Sequence, residues 1–285
     1  MNQNLQIKSL ENTELDQLYK AFDAAFADYE TQWSEKQFRN MLTRRGYQPQ
    51  LSFAAFDGGQ IAAFTLNGVG IYHDLPTAYD TGTGTLKAYR GQGLAGRIFE
   101  HSLPYLKEAG VQQYVLEVLQ HNTSAVSVYR KAGFEMSRAF NYYIGDMETI
   151  KTVSKDHFIE FRAIIMDQVA AQVDFWDFRP SWQNTFESIG RGNENFITLG
   201  AFTGENLLGY ALFDPASGDV SQLAVHRSHR RKGIGTAMIA ELASQNLHTH
   251  LKLINTDISC AEMTDFLASC NIPVSGKQFE MIKSI

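Results

Sequence analysis

The chain repeats itself once, and this constrains its fold more than any other feature: it must supply two copies of one domain, each about half of its 285 residues. The segment Ala55-Phe56-Asp57-Gly58-Gly59-Gln60-Ile61-Ala62-Ala63-Phe64 aligns with Ala201-Phe202-Thr203-Gly204-Glu205-Asn206-Leu207-Leu208-Gly209-Tyr210, so Phe202 lies 146 positions after Phe56. Each copy is an apolar run, a polar tip with glycine and a second apolar run. That pattern predicts two antiparallel strands joined by a tight hairpin. Further on, Tyr89-Arg90-Gly91-Gln92-Gly93-Leu94-Ala95 matches His229-Arg230-Arg231-Lys232-Gly233-Ile234-Gly235, now with Arg230 140 positions after Arg90. The first copy therefore holds about six extra residues between hairpin and motif, around Asn67 to Asp80.

Around these anchors the halves read alike. Opening strands are expected at Gln6 to Ser9 and His157 to Arg162. Helical stretches follow at Thr13 to Phe26 and Ser34 to Arg44, and in the second half at Ala163 to Val173 and Trp182 to Ile189. After the motif, Ile234, Ala237, Met238 and Leu242 fall on one helical face. Leu94, Ile98 and Leu106 do the same in the first half, where Pro104 is expected to kink or shorten the helix. Buried strands come next, Gln113 to Leu119 and Leu251 to Asn255. The segment Lys151 to Asp156 reads as the join, giving domains 1–148 and 149–285 of ordinary size.

Composition narrows the function. A net charge of -6 lacks the broad basic face that nucleic acid or anionic lipid would require, so neither is an expected partner. No stretch approaches the roughly 18 uninterrupted apolar residues of a membrane span, and the first residues have no signal-peptide pattern. The expected location is the cytoplasm. Cys260 and Cys270, the two cysteines of the chain, are too few for a disulfide scaffold, lack zinc-ligand spacing and read as reduced thiols.

The repeated motif carries the chemistry. A strand that ends in a basic, glycine-containing turn and opens a helix gathers backbone N–H groups where an anion can sit. Gly93 and Gly233 let the main chain approach a phosphate, and Arg90, Arg230, Arg231 and Lys232 add charge. The first copy also spells G-x-G-x-x-G through Gly91, Gly93 and Gly96, with Glu117 some twenty residues on, so a dinucleotide site is a rival. The second copy decides against it, with Arg231 in place of Gly91 and Thr236 in place of Gly96. A hairpin rather than a βαβ unit also precedes the loop.

Arg90-Gly91-Gln92-Gly93-Leu94-Ala95 and Arg230-Arg231-Lys232-Gly233-Ile234-Gly235 both satisfy Gln/Arg-x-x-Gly-x-Gly/Ala, the coenzyme A loop of the GCN5-related N-acetyltransferase (GNAT) family, which the chain resembles twice over. The resemblance implies an α/β (α+β) fold of two tandem GNAT-like domains, each a mixed, mostly antiparallel sheet flanked by helices. It implies acetyl-CoA as co-substrate without a metal, a small-molecule or peptide amine as acceptor, and is compatible with a homodimer. The pantetheine arm would lie along Thr83-Gly84-Thr85 and Leu223-Ala224-Val225, pairing with main chain as an extra strand does. A backbone N–H near the end of that strand would polarise the thioester carbonyl. The loops, with Thr236 opening the second helix, would hold the diphosphate.

The segment Asn122-Thr123-Ser124-Ala125-Val126-Ser127-Val128-Tyr129-Arg130-Lys131-Ala132-Gly133-Phe134 resembles the family's Asn-x-x-Ala-x-x-x-Tyr-x-x-x-Gly-Phe. This implies Tyr129 as general acid to the leaving thiolate and Asn122 on the pantetheine arm. Read without that match, Tyr129 is an aromatic at the core edge of an amphipathic helix. Aligned by its closing strand, the second half puts Cys260 at Asn122 and Leu267 at Tyr129, and leucine donates no proton. An amine with pKa near 10.4 must lose a proton before it attacks, and Glu117 is the first candidate base, its alternative being an ion pair. Asp219 reads equally as a turn residue. His226 and His229, beside the loop, suggest no metal site, and nothing nearby in sequence activates Cys260 as a nucleophile. Phe175, Trp176, Phe178 and Trp182, with Asp174 and Asp177, read either as a cation-binding acceptor wall or as packing. The leading expectation is catalysis in the first half. Catalysis in the second half and a non-catalytic acyl-CoA sensor are the alternatives.

Overall fold

The computed structural model describes residues 5–28, 32–151, 159–172 and 175–285. By compactness the chain forms two units: Met1–Val118 with Asn122–Ser137 and Glu280–Ile285, and Leu119–His121 with Arg138–Phe279. The units are interleaved in sequence, so a boundary at 148/149 divides the sequence repeat rather than the compact bodies. The chain's last residues complete the first unit.

The first unit opens with β1 (Gln6–Ser9), α1 (Leu15–Phe26), α2 (Glu35–Arg45), β2 (Phe53–Asp57), β3 (Gln60–Tyr72) and β4 (Leu75–Thr85). It continues through α3 (Leu94–Glu108), β5 (Gln113–Leu119) and α4 (Thr123–Lys131). Strands β1 to β4 are antiparallel neighbours, and β5 lies parallel to β4. Helix α1 buries Leu18, Ala21, Phe22 and Ala25 at helical spacing. In α2 the hydroxyl of Ser34 and the side chain of Gln37 cap each other's backbone N–H, and Gly46 ends the helix with φ 76°. Phe22 sits between Phe38, with ring centroids 4.7 Å apart, and Phe64, at 6.2 Å. Each such ring contributes roughly 1.5–3 kcal/mol by leaving water. Leu94 and Ile98 of α3 pack on Phe53, Ala55 and Ala63. Because Ala54 joins the α1–α2 cluster while its neighbours Phe53 and Ala55 join the α3 cluster, the sheet carries helices on both faces. Pro104 does not shorten α3, which runs on to Glu108.

The second unit contains most of β6 (Glu135–Asp146), then β7 (Glu160–Ala163), α5 (Met166–Ala170), α6 (Phe186–Arg191), β8 (Ile197–Thr203), β9 (Asn206–Asp214) and β10 (Asp219–Val225). It closes with α7 (Ile234–Gln245), β11 (His250–Asp257), α8 (Ala261–Ser269) and the first part of β12 (Val274–Ser284). Its strand order is β6-β11-β10-β9-β8-β7, with β10 and β11 parallel. Of the helix expected from Ala163, only Met166–Ala170 forms, and Val173 lies outside the described residues. The same holds for His157 and Phe158 of the expected strand and for most of the join. The face predicted for α7 is buried, through Ile234, Ala237, Met238 and Leu242.

The six extra residues of the first copy lengthen one hairpin. Strands β3 and β4 have 13 and 11 residues where β9 and β10 have 9 and 7. The longer arm brings Tyr72 to Glu280, a fully buried carboxylate in the closing stretch of the first unit, which accepts from Tyr72 Oη at 2.6 Å and from Ser137 Oγ at 2.7 Å. Removing one donor so that a buried acceptor is left unsatisfied costs about 1–3 kcal/mol. Tyr72→Phe should therefore lower the unfolding free energy of the first unit by about that amount in a urea titration. An unchanged midpoint would mean that the hydroxyl does not anchor the closing strand.

Candidate active site

In each unit the two parallel strands pair only at their base. Strands β4 and β5 are in register at Thr77↔Gln113, Ala78↔Tyr114 and Tyr79↔Val115, and β10 and β11 at Asp219↔Lys252. Beyond these pairs the strands continue apart. A bulge marks the place in both: β4 shifts register against β3 between Asp80 and Gly82, with Thr81 the extra residue, and β10 shifts against β9 between Val220 and Gln222, with Ser221 the extra residue. A bulge bends its strand and increases the local twist, which turns β4 and β10 away from their parallel neighbours. Thr83–Thr85 and Leu223–Val225 lie on the diverging stretches. Gly84 is dictated by packing, because a Cβ there would come within 2.5 Å of the Phe64 ring and 3.0 Å of Ala25.

Each diverging strand leads into a loop that opens a helix. Gly93 (φ 70°) and Gly233 (φ 81°) are the N-caps of α3 and α7, and neither helix start has a side-chain cap. The first amides of such a helix have no acceptor within it and favour an anion. A Cβ on Gly91, Gly93 or Gly233 would have no neighbour within 4 Å, so the space over each loop is open. Gly91 has φ 77° and its counterpart Arg231 has φ 61°. The turn demands a left-handed residue at this position, and the second copy fills it with arginine at a cost of about 1–2 kcal/mol.

The first arginine of each loop is committed to protein acceptors rather than to the open space. Arg90 donates to the Thr85 carbonyl (3.2 Å), Asp28 (3.0 Å) and the Ala25 carbonyl (3.0 Å). Arg230 donates to the Val225 carbonyl (2.9 Å), Asp177 (2.9 Å) and the Phe175 carbonyl (3.2 Å). The pattern is the same in both units, although Asp177 follows Asp28 by 149 positions and Arg230 follows Arg90 by 140. Each arginine thus ties its loop to the segment after the unit's first helix. Of the four cations expected at the loops, Arg231 is the one that lines the second unit's cavity along with Arg230, while Lys232 Nζ donates to the Ser228 carbonyl.

At the first unit's opening stands a polar pair. Asp80, the residue after the last β4–β5 register pair, accepts from Tyr129 Oη at 3.1 Å and from Thr83 Oγ1 at 3.0 and 2.9 Å. Burial pushes its carboxyl up to about 6, against the hydrogen bonds of Thr83 and Tyr129, which lower it. The corresponding residues of the second unit are Val220 and Leu267, both buried in its main hydrophobic cluster. A cavity of about 570 Å³ opens in that unit, lined by Leu223, Arg230, Gly233, Trp176, Asn184 and Phe266 among others. On its wall Trp176 Nε1 donates to Tyr210 Oη, Tyr210 donates to Gln222 at 2.9 Å, and Gln222 donates to the Asn184 carbonyl at 2.6 Å.

A profile of the Acetyltransferase (GNAT) family matches residues 15–134 and again 161–257. The chain belongs to the GNAT family. It is similar to N-alpha-acetyltransferase MAK3 of Arabidopsis thaliana, 27% identical over 104 residues, which are 36% of this chain and 55% of the plant protein. To N-alpha-acetyltransferase 30 of Schizosaccharomyces pombe it is 28% identical over 107 residues, 37% of this chain and 71% of the yeast protein. Among solved structures, a tandem GNAT protein from the clavulanic acid biosynthesis pathway shares the fold over 98% of both chains, with TM-score 0.73 and 14% identity. The chain thus spans only 55% of the length of the plant relative it matches.

Within these GNAT units the other expected residues take definite places. Tyr129 and Leu267 are each the seventh residue of their helix, and Asn122 and Cys260 each the N-cap. Asn122 Oδ1 accepts from the Ala125 amide at 3.2 Å, so its carbonyl oxygen serves the helix. Glu117 bonds the phenol of Tyr79, which burial first, and then the Glu117 charge, push well up. Asp219 sits at the paired base of β10 and accepts from Ser221 Oγ, away from the opening. His226 accepts from Ser228 and packs edge-on against Phe175, and among the described residues no group of His, Cys, Asp and Glu is arranged to hold a metal. Burial raises the Cys260 thiol, the wrong direction for a nucleophile. Trp182 is buried packing and Asp177 belongs to the Arg230 contact, while Asp174 lies outside the described residues.

Sequence reasoning missed Asp80. Its signal was the residue itself: a carboxylate opening Asp80-Thr81-Gly82-Thr83, at the spot where the second copy has Val220. For the loop, Arg231→Gly should raise the second unit's stability by about 1 kcal/mol in denaturant unfolding, because glycine adopts φ 61° without strain. A loss of stability would show that the arginine side chain contributes more than its backbone costs.

Proposed function

We propose that the chain is an acyl-CoA-dependent N-acyltransferase that moves an acetyl group from acetyl-CoA to a primary amine by direct attack, with the chemistry in the first unit. The observation that carries this reading is Tyr129 reaching the strand residue at which β4 parts from β5, while the second copy has leucine. The open glycine loops Arg90–Ala95 and Arg230–Thr236 fit a diphosphate, and the diverging strands at Thr83–Thr85 and Leu223–Val225 offer main chain to an amide-bearing arm. Glu117 is the first candidate base carried over from the sequence, and its bond to Tyr79 favours a supporting role. The second unit is a coenzyme-binding partner domain without the phenol. Peptide N-terminal amines head the acceptors to try, because two relatives are N-alpha-acetyltransferases. A cytoplasmic location belongs to the same proposal and agrees with two free cysteines.

A second reading, favoured by the cavity beside Arg230–Gly233, puts catalysis in the second unit. The two separate by mutation. Acetyl-CoA is offered with a panel of amino acids, polyamines, aminoglycosides and free-N-terminus peptides, and thiol release is followed. Tyr129→Phe should lower kcat about 100-fold with coenzyme A binding retained. Gly233→Trp should remove one of two binding sites in calorimetry and leave turnover in place. Loss of turnover in Gly233→Trp with a normal rate in Tyr129→Phe would move the chemistry to the second unit.

A further inference from the structure

The Asp80–Tyr129 pair joins two places that acyl transfer must serve, and neither member survives in the second copy. Asp80 follows the last β4–β5 register pair and so sits at the apex from which the two strands diverge. Tyr129 comes from α4, which follows β5 in the chain, and bonds Asp80 directly. Thr83 holds the carboxylate from its own strand. The other titratable groups facing Asp80 are Arg45 from α2, Tyr114 from β5 and Tyr79 from β4, with Glu117 of β5 beyond Tyr79. Val220 and Leu267 replace the pair together, as is expected when two groups act as one and the loss of one removes the use of the other.

We infer that Asp80 and Tyr129 form a proton relay, in which Asp80 takes the proton of the incoming amine and Tyr129 delivers a proton to the departing sulfur. This rests on the first-unit reading above and deepens it. The protons balance as follows. Asp80 accepts one proton from the ammonium group, and the freed amine forms its C–N bond as the C–S bond breaks with its electron pair going to sulfur. Tyr129 gives its phenolic proton to that sulfur and regains one from Asp80. The carboxylate then accepts the second proton that nitrogen sheds as it becomes an amide, and releases it to water. The transfer converts an ammonium ion and a thioester into an amide, a thiol and one proton.

A carboxyl raised by burial is suited to this, since a group titrating at about 6 is ionised at neutral pH yet remains a usable base. The same shift gives a readout that needs no turnover. A folded-state value of about 6 against an ordinary 3.8 means that native stability contributed at this site is full below pH 3.8 and is lost as pH rises to about 6. Asp80→Asn should therefore raise the unfolding midpoint at pH 7.5 and leave it nearly unchanged at pH 3.8. Tyr129→Phe, which removes a bond that lowers the Asp80 value, should move the acid limb of kcat/KM to higher pH.

The decisive experiment is a double-mutant cycle with acetyl-CoA and the fastest acceptor of the panel, run beside coenzyme A titrations and pH-dependent unfolding. Asp80→Asn and Tyr129→Phe should each lower kcat by about 10²-fold, and the double variant by no more than about the larger single loss. Coenzyme A binding should hold in all three. Losses that multiply toward about 10⁴-fold, or a normal rate in Asp80→Asn beside a slow Tyr129→Phe, would overturn the relay while leaving the first-unit reading intact. Normal rates in both single variants would overturn relay and reading together.

Discussion

Both candidate sites of this chain depend on the point at which a pair of parallel strands stops pairing. In the first unit that point is Tyr79↔Val115 and in the second Asp219↔Lys252. A sheet interior normally satisfies its backbone by ladder bonds, and leaving such groups without partners is costly. A bulge at Thr81 or Ser221 opens the sheet, and a segment able to bond like a strand can restore the ladder. The loop and its helix start follow the opened strand at the same interval in both units, seven residues separating Thr85 from Gly93 and Val225 from Gly233, so the proposed anion and main-chain sites stand in one fixed relation. Arg90 and Arg230 hold that relation by fastening each loop to both its strand and a carboxylate beyond the first helix.

The two copies have kept the opening and diverged in what surrounds it. Backbone demands are conserved even where the residue is poorly suited: the left-handed position of Gly91 persists under Arg231, and Gly133 (φ 85°) corresponds to Asn271 (φ 60°). Side-chain chemistry is not conserved. A hydrogen-bonded carboxyl and phenol in one copy become buried valine and leucine in the other, which exchanges a polar pair for packing. Under the proposed function, such a division leaves one unit shaped by chemistry and the other by binding and stability.

Much of this was legible in the sequence because it is carried by local pattern. The hairpin, the glycine loops, the α7 face of Ile234, Ala237, Met238 and Leu242 and the alignment of Leu267 with Tyr129 each depend on residues near one another in the chain. What was not legible depends on distance. The closing strand's place in the first unit rests on Glu280 meeting Tyr72, 208 residues away. The partner of Arg90 is Asp28, 62 residues earlier, and its equivalent in the second unit sits at a different offset. Asp80 gains its character from α4 and from burial, neither of which its neighbours in sequence announce. Pro104 lies inside a helix that continues past it, so a local rule was overridden by packing of Leu94, Ile98 and Leu106.

The central claim is that both openings are coenzyme A sites, and hydrogen exchange of the intact chain with and without coenzyme A tests it most directly. The account predicts slowed amide exchange in two separate stretches, residues 83–95 and 223–236, covering the diverging strand and the loop of each unit. Unchanged exchange in both stretches at saturating coenzyme A would contradict it.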